Sequence, residues 1–395
     1  MHGSILCRVH VKILRVPSVL EFRGQWREPQ PIFQNSRNPF GARPGIETGS
    51  RLGDNSAMPL VDRYHRPVRD LRISVTDRCN YRCNYCMPFD EYTWIEKAEV
   101  LSFEEIIRLA TLFIQLGVEK IRLTGGEPLV RRDLEKLIAE LSPLPGLKDL
   151  SLTTNGSLLE ERAATLRAAG LLRINVSLDT LDPERFRQIT KRGDLDRVLA
   201  GIFAARQAGL NPVKINAVII RGLNDDEIVP LVEFCRTHGF SMRFIEYMDV
   251  GNANSWSLNK TVTKQEILRT INQHFPLREV GRLGGRAPAV DYQFLDGTGD
   301  IGIIGSVTEP FCATCTRVRL TADGKLVTCL FAQDGVDLKS IMRRGATDQE
   351  ISEVIRSRWS IRQDRYSDQR WENLRSGAGY EAKDHHKIEM ITLGG

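Results

Sequence analysis

No stretch of this chain approaches the ~18–20 uninterrupted apolar residues of a membrane-spanning helix, which excludes an integral membrane protein of that kind. Cysteine is scarce, eight in 395 residues, so a disulfide-stapled scaffold is excluded too. The opening MHGSILCRVHVKIL lacks the long apolar core and small-residue cleavage site of a secretory signal. No Gly-x4-Gly-Lys-Ser/Thr loop is present, so phosphate is not held by a Walker A turn. Excess charge is also missing. The net charge is +5, and residues 1–57 carry most of it, with seven Arg and one Lys against four acids. The rest is near neutral, which argues against a nucleic-acid partner. What remains is a globular composition, 41% hydrophobic and 27% charged, long enough for two or three structural units.

Residues 1–57 hold five Pro and six Gly and no sustained period. They read as a flexible extension, a weak transit peptide, or the product of a start placed ahead of Met58; four acids argue against a strong transit peptide. From residue 68 a strand–helix beat begins. Strands are expected at 71–77, 120–126, 149–156, 173–179, 213–220 and 242–248. Helices are expected at 102–116, 132–142, 160–169, 183–189, 195–208 and 225–238. The clearest is 102–116, where Ser102 and Glu105 form a capping box and Gly117 stops the run. Six such units in series imply a parallel sheet with right-handed crossovers, open or barrel-like, with function at the C-terminal strand ends. Polar residues gather there: Asp77, Thr124–Glu127, Thr153–Gly156, Ser177–Asp179 and Glu246–Met248.

Six of the eight cysteines form two groups of three. Cys79, Cys83 and Cys86 have the spacing C-x3-C-x2-C directly after the first strand. Cys312, Cys315 and Cys329 have the spacing C-x2-C-x13-C. Three thiolates suit a [4Fe–4S] cluster that keeps one iron open for a small molecule. Zinc is the alternative at each, although zinc usually completes four ligands; near the second group only the distant His385 and His386 could contribute. Arg317 and Arg319 follow Cys315 at alternate positions, so on an extended segment they share a face, and guanidinium forks suit phosphate. Cys7 and Cys235 are read as ordinary thiols, Cys235 buried on a helix. Clustered cysteines in a chain without a secretory signal point to a reducing, intracellular compartment: the cytoplasm, or the mitochondrial matrix in a eukaryote.

The first triplet with Tyr85, followed by Gly125-Gly126-Glu127-Pro128 after the second strand, resembles the radical S-adenosylmethionine superfamily. With FCATCTRVRLTADGKLVTCLF, TTNG, INVSLD and a terminal Gly394-Gly395 in order, residues 66–395 resemble the GTP 3′,8-cyclase family of molybdenum-cofactor synthesis. The resemblance implies a partial (β/α)6 TIM-like barrel at 66–299, a C-terminal iron–sulfur subdomain at 300–345, and a helical segment with a Gly-Gly tail at 346–395. It implies two [4Fe–4S] clusters on the six cysteines, and S-adenosylmethionine held by Tyr85, Gly126, Ser177 and Met248, with Glu127 adding charge near its amino group. GTP would contact Arg72, Arg122, Thr153, Lys214, Arg317, Val318 and Arg319. The implied reaction abstracts hydrogen from ribose C3′ with a 5′-deoxyadenosyl radical, joins C3′ to C8 and yields 3′,8-cyclo-7,8-dihydro-GTP. Arg317, Arg319, Gly394 and Gly395 would serve catalysis, the tail aiding formation of the cyclised product after radical generation. Implied partners are an external one-electron donor such as flavodoxin or ferredoxin, the downstream cyclic pyranopterin monophosphate synthase, and a second copy in a homodimer; no membrane or nucleic acid is expected. A radical peptide-modifying enzyme with an auxiliary cluster is the alternative.

Overall fold

Alternating β-branched runs form strands where the pattern places them. In the computed structural model, which describes residues 59–377 and 380–394, these are β1 (Asp70–Ser74), β2 (Lys120–Thr124), β3 (Asp149–Thr154), β4 (Arg173–Ser177), β5 (Val213–Ile219) and β6 (Ser241–Glu246). Each ends up to three residues before the expected limit, because the last polar residues of each run belong to the following loop. The extension at 1–57, Met58 and Gly395 lie outside the described residues. The six strands pair in parallel and in chain order. The crossovers carry α1 (Phe103–Gln115), α2 (Leu134–Leu141), α3 (Leu159–Ala168), α4 (Pro183–Thr190), α5 (Leu195–Gln207) and α6 (Ile228–His238). The capping box of Ser102 and Glu105 starts α1. Cys235 is buried on α6, its sulfur 3.6 Å from that of Met242.

The sheet continues past these six strands and does not close. After α7 (Lys264–Asn272) come β7 (Leu277–Gly281), β8 (Val290–Phe294), β9 (Asp300–Ile304), β10 (Arg317–Leu320), β11 (Lys325–Val327) and β12 (Val336–Asp337). The strand order is β12-β11-β10-β1-β2-β3-β4-β5-β6-β9-β8-β7. Residues 300–345 therefore extend both edges of the six-strand wall, β9 parallel to β6 and β10 parallel to β1. Helices α8 (Leu338–Arg343), α9 (Asp348–Ser360), α10 (Tyr366–Ser376) and α11 (Met390–Leu393) finish the chain. Among the described residues no helix is long and apolar enough to cross a membrane.

A parallel sheet usually buries apolar side chains on both faces. Here only one face does so. Leu71, Ile73, Ile121, Leu123, Leu152, Ile174, Ile215 and Phe244 pack into the main core with the helices. The alternate positions, Arg72, Arg122, Ser151, Thr153, Asn175, Lys214 and Arg243, fall on the other face.

The C-terminal segment is tied to the end of β6 by one buried carboxylate. Asp249 accepts from Tyr366 Oη at 2.7 Å, lies 3.1 Å from Lys387 Nζ, and also pairs with Tyr380 and Arg370. Burial pushes its carboxyl up, but Arg370 and Lys387 outweigh that and hold it down to about 2. Asp249→Ala would leave two buried cations without their anion, at a cost of about 3–5 kcal/mol. Anaerobic urea unfolding should show that loss; a change under ~1 kcal/mol would mean that the charges are not held by this contact.

Candidate active site

The loop after β1 carries Cys79, Cys83 and Cys86, all free thiols at intermediate exposure. The loop is fixed by backbone: Arg82 N donates to Thr190 O at 2.9 Å, Asn84 N to Ile189 O at 3.0 Å, and Met87 N to Cys83 O at 2.7 Å. Cys79 Sγ accepts from Tyr81 N at 3.4 Å and Asn155 Nδ2 at 4.0 Å. Burial raises all three thiols, Cys79 to about 11 and Cys86 to about 12, and each also feels another thiol of the set or a nearby carboxylate. Such a set asks for a cation to stabilise its thiolates. One thiolate per iron at separate corners is the arrangement of a four-iron cluster, and the donor set fits it.

The turn after β2 packs tightly on this loop. Gly126 N donates to Thr76 O at 2.8 Å and Glu127 N to Arg78 O at 2.8 Å. A Cβ on Gly126 would lie 2.4 Å from the Arg78 carbonyl oxygen, so only glycine permits the approach. Glu127 joins two strand ends. Its buried carboxylate accepts from Thr154 Oγ1 (2.7 Å), Asn155 N (2.6 Å) and Leu129 N (3.0 Å), which ties the end of β2 to the end of β3. Burial pushes it up to about 7 despite these bonds. Tyr85 donates to Asp179 Oδ2 at 2.7 Å, and Asp179 Oδ1 accepts from Val218 N at 2.8 Å. Met248 packs with Tyr85, Val218, Ile220 and Tyr247 in a small apolar cluster, and Ser177 closes β4 opposite Asn216. Tyr85, Ser177 and Met248 therefore sit at the C-terminal strand ends with the first cysteine loop.

The second triplet lies at the other end of the sheet. Cys312 and Cys315 precede β10, and β10 is parallel to β1, with Asp70 opposite Arg317. These cysteines stand where β1 begins, whereas the first triplet follows where it ends. The five residues of β1 separate the two loops by roughly 15 Å. Cys329 returns to the second loop after β11, and its sulfur accepts from Phe331 N at 3.5 Å. His385 stacks on Tyr380 at 4.9 Å.

Between the loops runs a row of cations. The registers put Arg319 beside Arg72 and Arg72 beside Arg122, on strands about 4.8 Å apart. Arg317 is two residues along β10, and Lys214 stands across the face on β5, opposite Asn175. Among the described residues none of these five makes an ion pair with a carboxylate. Burial and mutual repulsion lower Arg72; burial, then Arg173, lowers Arg122 to about 10; burial, then Arg317, lowers Arg319 to about 10. Burial, then Arg243, lowers Lys214 to about 8. Thr153 Oγ1 and Asn175 Oδ1 are buried on the same face without partners. Val318 turns its side chain into the core between the two arginines. Asn175 and Arg243 were not read from sequence; their alternation with Ile174 and Met242 was the available signal. Arg243 is paired, 3.1 Å from Asp291 and 3.3 Å from Asp300.

The tail enters this space. Ile388 N donates to Ala332 O at 2.9 Å, and Asn252 clamps the backbone of Lys387 from both sides. The Gly394 carbonyl accepts from Arg319 Nη1 at 2.9 Å. Gly394 has φ +70°, and a Cβ on it would lie 2.3 Å from Thr124 Cγ2.

Two family models match: the radical SAM superfamily over residues 73–235 and Molybdenum Cofactor Synthesis C over 240–368. A GTP 3′,8-cyclase of Acidothermus cellulolyticus is 48% identical over 366 residues, covering 85% of this chain and 99% of that protein. The chain belongs to the GTP 3′,8-cyclase family. A second member, from Staphylococcus saprophyticus, is 46% identical over 342 residues, again covering 85% and 99%. The crystal structure of Streptococcus suis SuiB bound to S-adenosylmethionine superposes with a TM-score of 0.54 at 16% identity, covering 77% of this chain and 68% of that one. That likeness shows the fold alone. As a radical SAM cyclase the chain uses a [4Fe–4S] cluster and S-adenosylmethionine, and it is an enzyme.

Gly394→Ala should push the tail off β2, because its φ costs an L-residue about 1–3 kcal/mol and the Cβ has no room. Hydrogen exchange should quicken at 391–394 and stay unchanged in β1–β6. Unchanged exchange in the tail would mean that it is not seated against Thr124.

Proposed function

We propose that this chain converts GTP to (8S)-3′,8-cyclo-7,8-dihydroguanosine 5′-triphosphate, a step of molybdenum-cofactor synthesis, with two [4Fe–4S] clusters and S-adenosylmethionine. The observation that carries the residue assignment is the row Arg319–Arg72–Arg122, partnerless toward carboxylates, between two cysteine triplets. Several buried like charges are stable only when an anion comes to them, and the triphosphate of GTP supplies about four negative charges.

Cys79, Cys83 and Cys86 hold the first cluster, and Cys312, Cys315 and Cys329 the second. With its cofactors bound, the first site supplies the 5′-deoxyadenosyl radical that removes hydrogen from ribose C3′. The residues do the rest. Gly126 offers backbone to the methionyl end of the cofactor, Tyr85 and Met248 give it an apolar wall, and Ser177 offers a hydroxyl. Arg72, Arg122, Lys214, Arg317 and Arg319 fix the phosphates, so the ribose is presented toward the first loop and the guanine toward the second. Thr153 Oγ1 and Asn175 Oδ1 supply unsatisfied polar atoms to the nucleotide. Gly394 closes the space and keeps water from a reactive carbon centre, and Gly395 serves catalysis with it. The electron comes from a one-electron donor protein, and the product passes to the next synthase. A homodimer remains our reading of the assembly.

Two outcomes test this assignment. Anaerobic reconstitution should give about eight iron and eight sulfide per chain, and Cys312→Ala about four of each; stoichiometric zinc at the second site would refute it. Lys214 should reveal itself by pH. It is lowered to about 8 in the free protein, so its charge is present below that value and lost above it. The kcat/KM for GTP should fall as pH rises through about 8. Lys214→Arg, charged throughout, should flatten that limb, whereas Arg319→Ala should lose about ten- to hundredfold at every pH. A limb unchanged in Lys214→Arg would remove Lys214 from the phosphate site.

A further inference from the structure

Among the described residues, Cys315 alone of the six cluster cysteines accepts charged donors on its sulfur. Arg317 Nη2 donates from 3.2 Å and Arg362 Nη2 from 3.4 Å. The sulfurs of Cys79 and Cys329 accept only neutral donors, from Tyr81, Asn155 and Phe331. Arg317 belongs to the cation row. Arg362 does not. It reaches in from beyond the end of α9, is 4% exposed, and lies over the Trp359 ring at 4.6 Å.

Its position is fixed by an anion that the reaction does not use. Asp62, 4% exposed, accepts from Arg362 Nη1 at 3.1 Å and from Arg66 Nε at 2.6 Å. The same two arginines hold the cysteine backbone: Arg66 donates to the Cys312 carbonyl at 2.7 Å, and Arg362 to the Cys315 carbonyl at 3.0 Å. Asp364 accepts from Arg362 Nε at 3.0 Å and acts on Cys329, and Asp368 is the carboxylate that acts on Cys312. Around the first triplet there are as many carboxylates but fewer cations. Asp179 acts on Cys83, Glu389 on Cys86 and Glu127 on Cys79, and Arg82 offsets part of this at Cys79.

We propose that Arg362, fixed by Asp62, is a positioning residue that sets the reduction potential of the second cluster and holds it above that of the first. The inference rests on the two-cluster reading. One electron enters from the external donor and no bond breaks; the reduced cluster carries one more negative charge, and a guanidinium on a ligand sulfur stabilises that form. The first cluster, among carboxylates, stays the stronger reductant, as cleavage of S-adenosylmethionine demands.

The test is an anaerobic redox titration of the reconstituted full-length protein, followed by electron paramagnetic resonance. The signal that disappears in Cys312→Ala belongs to the second cluster. Arg362→Gln leaves Asp62 paired with Arg66, so no buried charge is orphaned. It should keep eight irons and make the second cluster at least tenfold harder to reduce, about 59 mV for one electron. The first signal should not move, and Arg362→Lys should restore part of the shift. Asp62→Asn should shift the second signal in the same direction. Unchanged midpoints in both Arg362→Gln and Asp62→Asn would overturn the proposal. So would loss of four irons together with the second signal in Arg362→Gln, which would make Arg362 a structural tie only. Four irons and a single signal in the parental protein would remove the two-cluster reading itself, and this proposal with it.

Discussion

The parallel ladder between β1 and β10 governs everything functional here. It joins residues 247 positions apart, Asp70 to Arg317 and Arg72 to Arg319. Because the two strands run the same way, the cysteines before β10 and those after β1 are held at opposite ends of one wall. Were the strands antiparallel, both triplets would crowd one end. The same register lines up arginines from three strands. Their mutual repulsion disfavours the empty site and favours any ligand that brings several negative charges.

A second constraint acts on the tail. A chain end gains little by ordering, yet this one is held at three points. Asp249 takes the Lys387 ammonium, Asn252 clamps the Lys387 backbone, and Arg319 takes the Gly394 carbonyl. Asp249 directly follows Met248, which packs against the same apolar cluster as Tyr85. The segment that anchors the tail therefore adjoins the apolar cluster that holds Tyr85, and Ala332, which takes Ile388, lies three residues past Cys329. The tail is in this way braced against both cysteine loops.

Much of this was legible from local pattern. The six strand–helix units, the capping box at Ser102, both cysteine triplets and the alternation of Arg317 with Arg319 depend on residues near one another in sequence. What stayed hidden depends on distant pairing. Nothing in FCATCTRVRL says that it docks beside DLRIS, so the row of cations and the opposed loops were not readable. Glu127 was expected to add charge to the Gly-Gly-Glu-Pro segment; that its carboxylate also ties in Thr154 and Asn155, at the end of another strand, was not readable. Helix α7 has a capping box of Thr263 and Glu266 that local reading could have found and did not. Asp62 and Arg362 are 300 residues apart, and neither stands in a motif.

The central claim is that one nucleotide lies along this wall with its ribose toward the first cysteine loop. The direct measurement uses GTP deuterated at C3′, with S-adenosylmethionine and a one-electron reductant under strict anoxia. Deuterium should appear in the 5′-deoxyadenosine released, in step with cyclised product, and 5′-deoxyadenosine should fall sharply when GTP is omitted. Deuterium-free 5′-deoxyadenosine, formed at the same rate with and without GTP, would contradict the account.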